Sequence, residues 1–163
     1  MQKFKRAVSY LLCVLIIACG ICSCSQPENK EAVSVLAEQA KKQLEPDIVW
    51  TQLPADKVAV YFGFSGETAK DCAVFINDSD EHFYTVAFFD FENEQDKKSA
   101  INSLNEALTK AVSNYKTVKN DSEAEKIQKR LVYESGNKLC VIITALPENA
   151  TQFLTEKNFT QVK

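Results

Sequence analysis

Six cysteines, one histidine and 22 carboxylates are the residues from which this chain could build a reactive centre. Cys72 and Cys140 each sit in an apolar run of strand character. There a thiol packs as a small hydrophobe more readily than it pairs, and a disulfide between the two is the disfavoured alternative for an exported domain. From residue 31 onward no Cys-x-x-Cys and no cysteine at a helix start occurs, so a thiol redox centre lacks its usual electropositive setting. His82 closes the stretch "NDSDEH", beside Asp78, Asp80 and Glu81. Oxygen-rich turns bind divalent cations, but this one lacks the spacing and the glycine of a calcium loop, so it reads as a solvated acidic turn and no metal is assigned. A lone histidine rules out a zinc site of several imidazoles and would have to serve any Ser/His/Asp triad itself, without a Gly-x-Ser-x-Gly to support it. Asp90, between Phe89 and Phe91, is the carboxylate whose neighbours come nearest to the apolar setting that raises an acid's pKa. No glycine-rich phosphate loop is present, and no cofactor is assigned.

The remaining four cysteines crowd the N-terminus. "LIIACGICSCS", Leu15–Ser25, follows a basic cap of Lys3, Lys5 and Arg6 and an apolar run from Ala7 to Ala18. That order is an export signal. Twelve apolar residues are short of the roughly 20 that cross a bilayer, although extension through Cys24 reaches 18 and leaves a retained anchor as the competing reading. The segment resembles a bacterial lipoprotein signal, in which aliphatic and small residues precede a cysteine that is lipidated and becomes residue one. Ile16, Ile17 and Ala18 before Cys19 fit that pattern. Ile21, Cys22 and Ser23 before Cys24 fit it less well, which makes Cys24 the alternative. On this reading residues 1–18 are the signal, 19–30 the lipidated cysteine and a short tether containing Pro27, and 31–163 a single domain. Several acyl chains on one cysteine hold a domain at a membrane surface without a protein span.

Loss of residues 1–18 leaves 16 Lys and Arg against 22 Asp and Glu, a net charge of −6. An acidic domain without a basic patch is a poor partner for nucleic acid. Lys97, Lys98, Lys126, Lys129 and Arg130 have acids around them and read as solvated helix faces. The sequons at Asn77, Asn120, Asn149 and Asn158 belong to a secretory route that the signal argues against.

Periodicity supplies the elements that would position these groups. Val33, Leu36, Ala37, Ala40 and Leu44 recur at helical spacing, and Pro46 stops that helix. Pro54 opens a short helix through Val58, Tyr61 and Phe62, with Gly63 as terminator and a second weak start at "SGETAKD". "CAVFI" and "FYTVAFFDF" read as strands joined by the acidic turn, hence a hairpin. Gln95 to Tyr115 is a long amphipathic helix, marked by Ile101, Leu104, Leu108 and Ala111. Asp121 to Lys129 is a short helix or ordered loop. "LVYES" and "KLCVIITA" form a second hairpin around Gly136 and Asn137, and the second strand is apolar on both faces. A helix starts at Pro147 and the tail after Phe159 frays. The fold class is α+β: an antiparallel sheet of about four strands, two hairpins flanking a long helix, with helices packed mainly on one face.

This order behind such a signal resembles the domain of unknown function 4358 family, small lipoprotein domains found largely in Firmicutes. The resemblance rests on "VAVYFGFSGETAKDCAVFIN", "YTVAFFDFENEQDKKSAINSLNEAL" and "LVYESGNKLCVIIT" and covers roughly residues 31–159. It implies location and fold type. The family carries no assigned reaction, so it implies no functional residue.

Together these features describe a lipid-anchored module on the extracytoplasmic face of the cell membrane, which binds a protein, peptide or envelope component and leans away from catalysis. Trp50, Tyr61, Phe64, His82 and Asp90 are its candidate binding residues. An envelope hydrolase whose acids converge only in the fold is one alternative. A subunit of a membrane-surface assembly, docking through an aromatic patch of Trp50, Tyr61 and Phe64, is the other. Mass spectrometry of the mature N-terminus is expected to recover a lipidated peptide starting at Cys19; a start at Cys24 or an intact Met1 contradicts the assignment.

Overall fold

The computed structural model describes residues 27–78, 83–118 and 120–162. In chain order they form helix α1 (Val33–Leu44), strand β1 (Thr51–Gln52), a 3-10 turn (Ala55–Lys57) running into α2 (Val58–Phe62), a second 3-10 turn (Gly66–Thr68), β2 (Asp71–Asp78), β3 (Phe83–Asp90), α3 (Glu94–Thr117), α4 (Asp121–Gln128), β4 (Leu131–Ser135), β5 (Lys138–Ile143), α5 (Pro147–Glu156) and β6 (Thr160–Gln161). All strand pairs are antiparallel, in the order β1-β2-β3-β5-β4-β6. The class is α+β, as the sequence predicts, and the sheet has six strands where about four were expected. The two extra strands are two-residue edge pieces, too short to show a period in sequence.

Side chains alternate cleanly across the sheet. Val74, Ile76, Ala87, Phe89, Leu139, Val141 and Ile143 point to one face, where α2, α3 and α4 add Val58, Phe62, Ala100, Leu104, Leu108 and Ile127. Ala73, Phe75, Val86, Phe88, Cys140 and Ile142 point to the other, where α1 and α5 add Val33, Leu36, Ala40, Leu44, Ala150, Phe153 and Leu154. Helices thus cover both faces, which corrects the expectation of cover mainly on one. The reason lies in β3 and β5, whose two faces are both apolar: Phe88 and Phe89, adjacent in sequence, are each wholly buried on opposite sides. A sheet with apolar residues on both faces must be covered on both.

The tail is a second correction. Asn158 takes a left-handed turn (φ 60°) after α5, and Phe159 packs edge-on against Phe88 with ring centroids 5.8 Å apart. Thr160 and Gln161 then pair with Glu134 and Tyr133, and the Val162 N–H donates to the Val132 carbonyl at 3.0 Å. The buried ring and the pairing with β4 together hold a short tail that propensity alone would release.

Local caps follow the sequence closely. Asn93 caps α3, its side chain accepting from the Asp96 N–H, with Glu94 and Asp96 in the first turn, where acids favour the helix dipole. Gly63 ends α2 with φ 73°. A Cβ there would stand 2.9 Å from the Ser103 carbonyl oxygen and 3.3 Å from the Ala107 methyl, so this glycine also lets α2 lie directly on α3. Among the described residues, no helix is long and apolar enough to cross a membrane.

Candidate functional site

With both faces of the sheet covered, concave surface lies along α3, beside the β6 edge and at the two poles where strands end, and the poles carry the most varied side chains. One pole gathers the end of β3, the turn between β4 and β5, the start of α3 and the end of α5. The other gathers the start of β3 and the second half of α3 beside α2.

At the first pole a buried ammonium does the joining. Lys97, 3% exposed, donates to the Gly136 carbonyl at 2.6 Å and pairs with Glu134 at 2.7 Å and Glu94 at 2.8 Å. This corrects its reading as part of a solvated face; its neighbour Lys98 is the exposed one. Burial works to lower the lysine pKa, and the hydrogen bonds and charges of Glu134 and Glu94 outweigh it, so the pKa rises and the group stays an ammonium. The cleft beside it, about 270 Å³, is lined by Glu28, Glu94, Glu134 and Asn158 among others. Three carboxylates line this cleft, and Glu94 and Glu134 are both held in ion pairs by the one ammonium. The geometry is that of a clamp between α3 and the β4–β5 turn.

The chain's entry to the domain docks at the same pole. Asn29 is buried: its N–H donates to Ser135 Oγ (2.9 Å), its Nδ2 to the Lys157 carbonyl (2.9 Å), and its own carbonyl accepts from Lys138 Nζ (2.9 Å). Asn29 Oδ1 accepts the Glu31 N–H, and Glu31 accepts from Lys157 Nζ at 2.7 Å. The Lys157 hydrogen bond, against a desolvation penalty, holds the Glu31 carboxyl below its ordinary value. The short tether expected to run to residue 30 is therefore docked from Asn29 onward.

At the opposite pole lies a groove of about 510 Å³ between α2 and α3. Its wall is an aromatic series. Tyr61 stacks on Phe83 (centroids 6.1 Å apart, planes at 13°), and Phe83 meets Tyr115 at 6.4 Å. Phe83 is buried and the two tyrosines are half-buried. Ala59, Gly63, Ala107 and Ala111 keep the groove open because they are small, and Lys110 and Asn114 add one ammonium and one carboxamide. Phe83 is held from behind: its N–H donates to Glu123 Oε2 at 2.8 Å, and Glu123, itself buried, pairs with Lys126 at 2.8 Å. Lys126 lies 3.8 Å over the Tyr84 ring and is mostly buried, a second departure from the solvated-face reading.

The residues singled out in sequence scatter across this framework. Tyr61 lines the groove. Phe64 is buried in an aromatic group with Phe62, Phe89 and Phe91. Trp50 is half-buried against the other face of the sheet, and its Nε1 has no hydrogen-bond partner among the described residues. The three therefore form no common patch, because the sheet separates Trp50 from the other two and Phe64 is buried in the core while Tyr61 lines the groove. Asp90 ends β3 and faces Lys138 at 3.8 Å, a strand-end ion pair. His82, with the lipidation candidates Cys19 and Cys24, lies outside the described residues. Cys72 and Cys140 are free thiols on opposite faces, with β3 between their strands. Burial raises both pKa values, with the Asp71 charge adding to it for Cys72, so neither is poised as a thiolate.

Sequence reasoning missed Asn29, Lys97, Glu134 and Lys110. For Lys110 a signal existed: alanines at 107 and 111 widen the stripe of α3 beyond what its core contact needs. Asn29 offers none, because its partners are more than 100 residues away.

No protein-family model, curated protein or solved structure matches the chain.

Replacing Lys97 with Met keeps the length of the side chain and removes its charge. Urea unfolding is expected to show a loss of about 2 kcal/mol, the scale of one or two hydrogen bonds to a charged group, with the half-exposed carboxylates recovering water. The contribution from the raised pKa is fully present below the unfolded lysine value of 10.5 and is lost as pH rises through the folded value. The gap between wild type and Lys97→Met should accordingly close only in strong alkali.

Proposed function

We propose that this chain is a lipid-anchored extracytoplasmic binding module whose aromatic groove receives an apolar side chain of a protein partner, with Lys110 pairing an acidic residue next to it. The observation that carries this reading is the groove itself. It combines stacked rings, alanine methyls, one ammonium and one carboxamide, a set that holds a ligand by apolar burial with a few orienting polar contacts. Lys110 is exposed and makes no ion pair with a described residue, so its charge is open to a partner in a chain otherwise rich in acids. The export signal and Cys19 support the location, and the resemblance to domain of unknown function 4358 lipoproteins belongs to the same proposal. The hydrolase alternative has one observation of its own, the convergence of Glu94 and Glu134. The ion pairs that Lys97 makes with both, joining α3 to β4, are those of a structural clamp and favour the binding reading.

A photo-cross-linking residue placed at Val60, which is 76% exposed on the groove rim, tests it in cells. A discrete protein adduct is expected at Val60 and not at Val49, which is 81% exposed elsewhere. Lys110→Glu, an exposed change, should cut the adduct about tenfold, as a loss of ~1.4 kcal/mol in binding would. Identical adducts from both positions, or an adduct indifferent to Lys110→Glu, contradict it.

A further inference from the structure

The docked entry segment and the groove stand at opposite ends of the same elements. Lys97, at the docked pole, and Ala111, in the groove, are on one helix and lie roughly 21 Å apart along its axis. Asp90 and Phe83 mark the same two ends of β3, roughly 23 Å apart. From Cys19 to Asn29 the chain spans ten residues and reaches at most about 35 Å; from Cys24 it spans five and reaches about 18 Å. The pivot is therefore the docked pole, whichever cysteine carries the lipid.

Resting on the lipid-anchored reading above, we propose that docking of Asn29 makes the β4–β5 turn pole the point of attachment and so the pole held nearer the bilayer, with the aromatic groove at the farther pole presented to a protein partner in the extracytoplasmic space. Three side-chain and backbone bonds of Asn29, together with the Glu31 to Lys157 ion pair, bind the entry segment to the β4–β5 hairpin and to the end of α5. The domain is therefore joined to the preceding chain at this pole, at Asn29, instead of at the start of α1.

The test uses the full-length protein purified from membranes and reconstituted in vesicles of phosphatidylethanolamine and phosphatidylglycerol holding a headgroup-labelled acceptor lipid. A donor dye is carried on an unnatural residue at Gln95 or at Ser113, both exposed on α3. Energy transfer is expected to be at least about twofold greater from 95 than from 113, the sites being roughly 27 Å apart along the helix. Asn29→Ala, checked for an unchanged fold by its unfolding transition, should lower transfer from 95 and narrow the ratio. A 12-residue Gly/Ser insertion between Gln26 and Pro27, outside the docked segment, should do the same if the alanine variant does not fold. Equal or reversed transfer in the wild type overturns the orientation and leaves the anchoring intact. Transfer from neither site overturns the anchoring, and the orientation with it. A ratio that neither variant changes overturns the role of the docked leash.

Discussion

The pairing of β3 with β5 is the constraint on which the rest of the structure depends. Both strands are buried on both faces over Val86–Phe89 and Leu139–Ile142, so neither side of the sheet can be left to water. Two helical layers follow from that, and each recruits a different part of the chain. The layer of α3 and α4 comes from the connection between the hairpins, and the layer of α1 and α5 comes from the two ends. Burial of the large apolar side chains of each layer, at about 1.5–3 kcal/mol each, is the main force holding these layers in place. The aromatic residues Phe62, Phe64, Phe89 and Phe91 concentrate it on one side, with edge-to-face contacts such as Phe64 to Phe89 at 5.0 Å.

A sheet closed on both faces moves polar chemistry to its ends. At one pole the ammonium of Lys97 and the amide groups of Asn29 join segments distant in sequence: α3 to the β4–β5 turn, and the entry segment to that turn and to α5. At the other, Glu123 caps the first N–H of β3 and so holds Phe83 where it can floor the groove. These contacts are worth less than the cores. Their effect is geometric, because each buried polar group that is satisfied in only one arrangement selects that arrangement. The functional reading inherits the division: attachment is proposed at one pole and recognition at the other.

Much of this was legible in the sequence, for identifiable reasons. The stripe of Ile101, Leu104 and Leu108 and the apolar alternation of "FYTVAFFDF" are local periodicities, and they gave α3 and β3 within two residues of their ends. Gly63, Pro147 and the Gly136–Asn137 turn are local chemistry and act as expected. The second helical layer was also readable in principle, since "KLCVIITA" is apolar on both faces and α1 and α5 each carry a stripe that needs a partner. What local pattern cannot carry is long-range pairing. The burial of Lys97 depends on Glu134 and Gly136, 37 and 39 residues away, and a Lys-Lys pair among acids looks the same in sequence whether solvated or enclosed. The site residues divide in the same way: Tyr61 lies where its aromatic character has a use, while Phe64 and Trp50, alike in composition, are separated by the sheet itself.

Native-state hydrogen exchange on the mature protein tests the central claim, that a doubly buried strand pair and a docked entry segment form one cooperative unit. The amides of Val86–Phe89 and Leu139–Ile142 should exchange only through global unfolding, and the Asn29 amide, bonded to Ser135 Oγ, should be protected to within about 1–2 kcal/mol of them. Exchange of Asn29 at the rate of free chain, or opening of β3 apart from β5, would contradict the account.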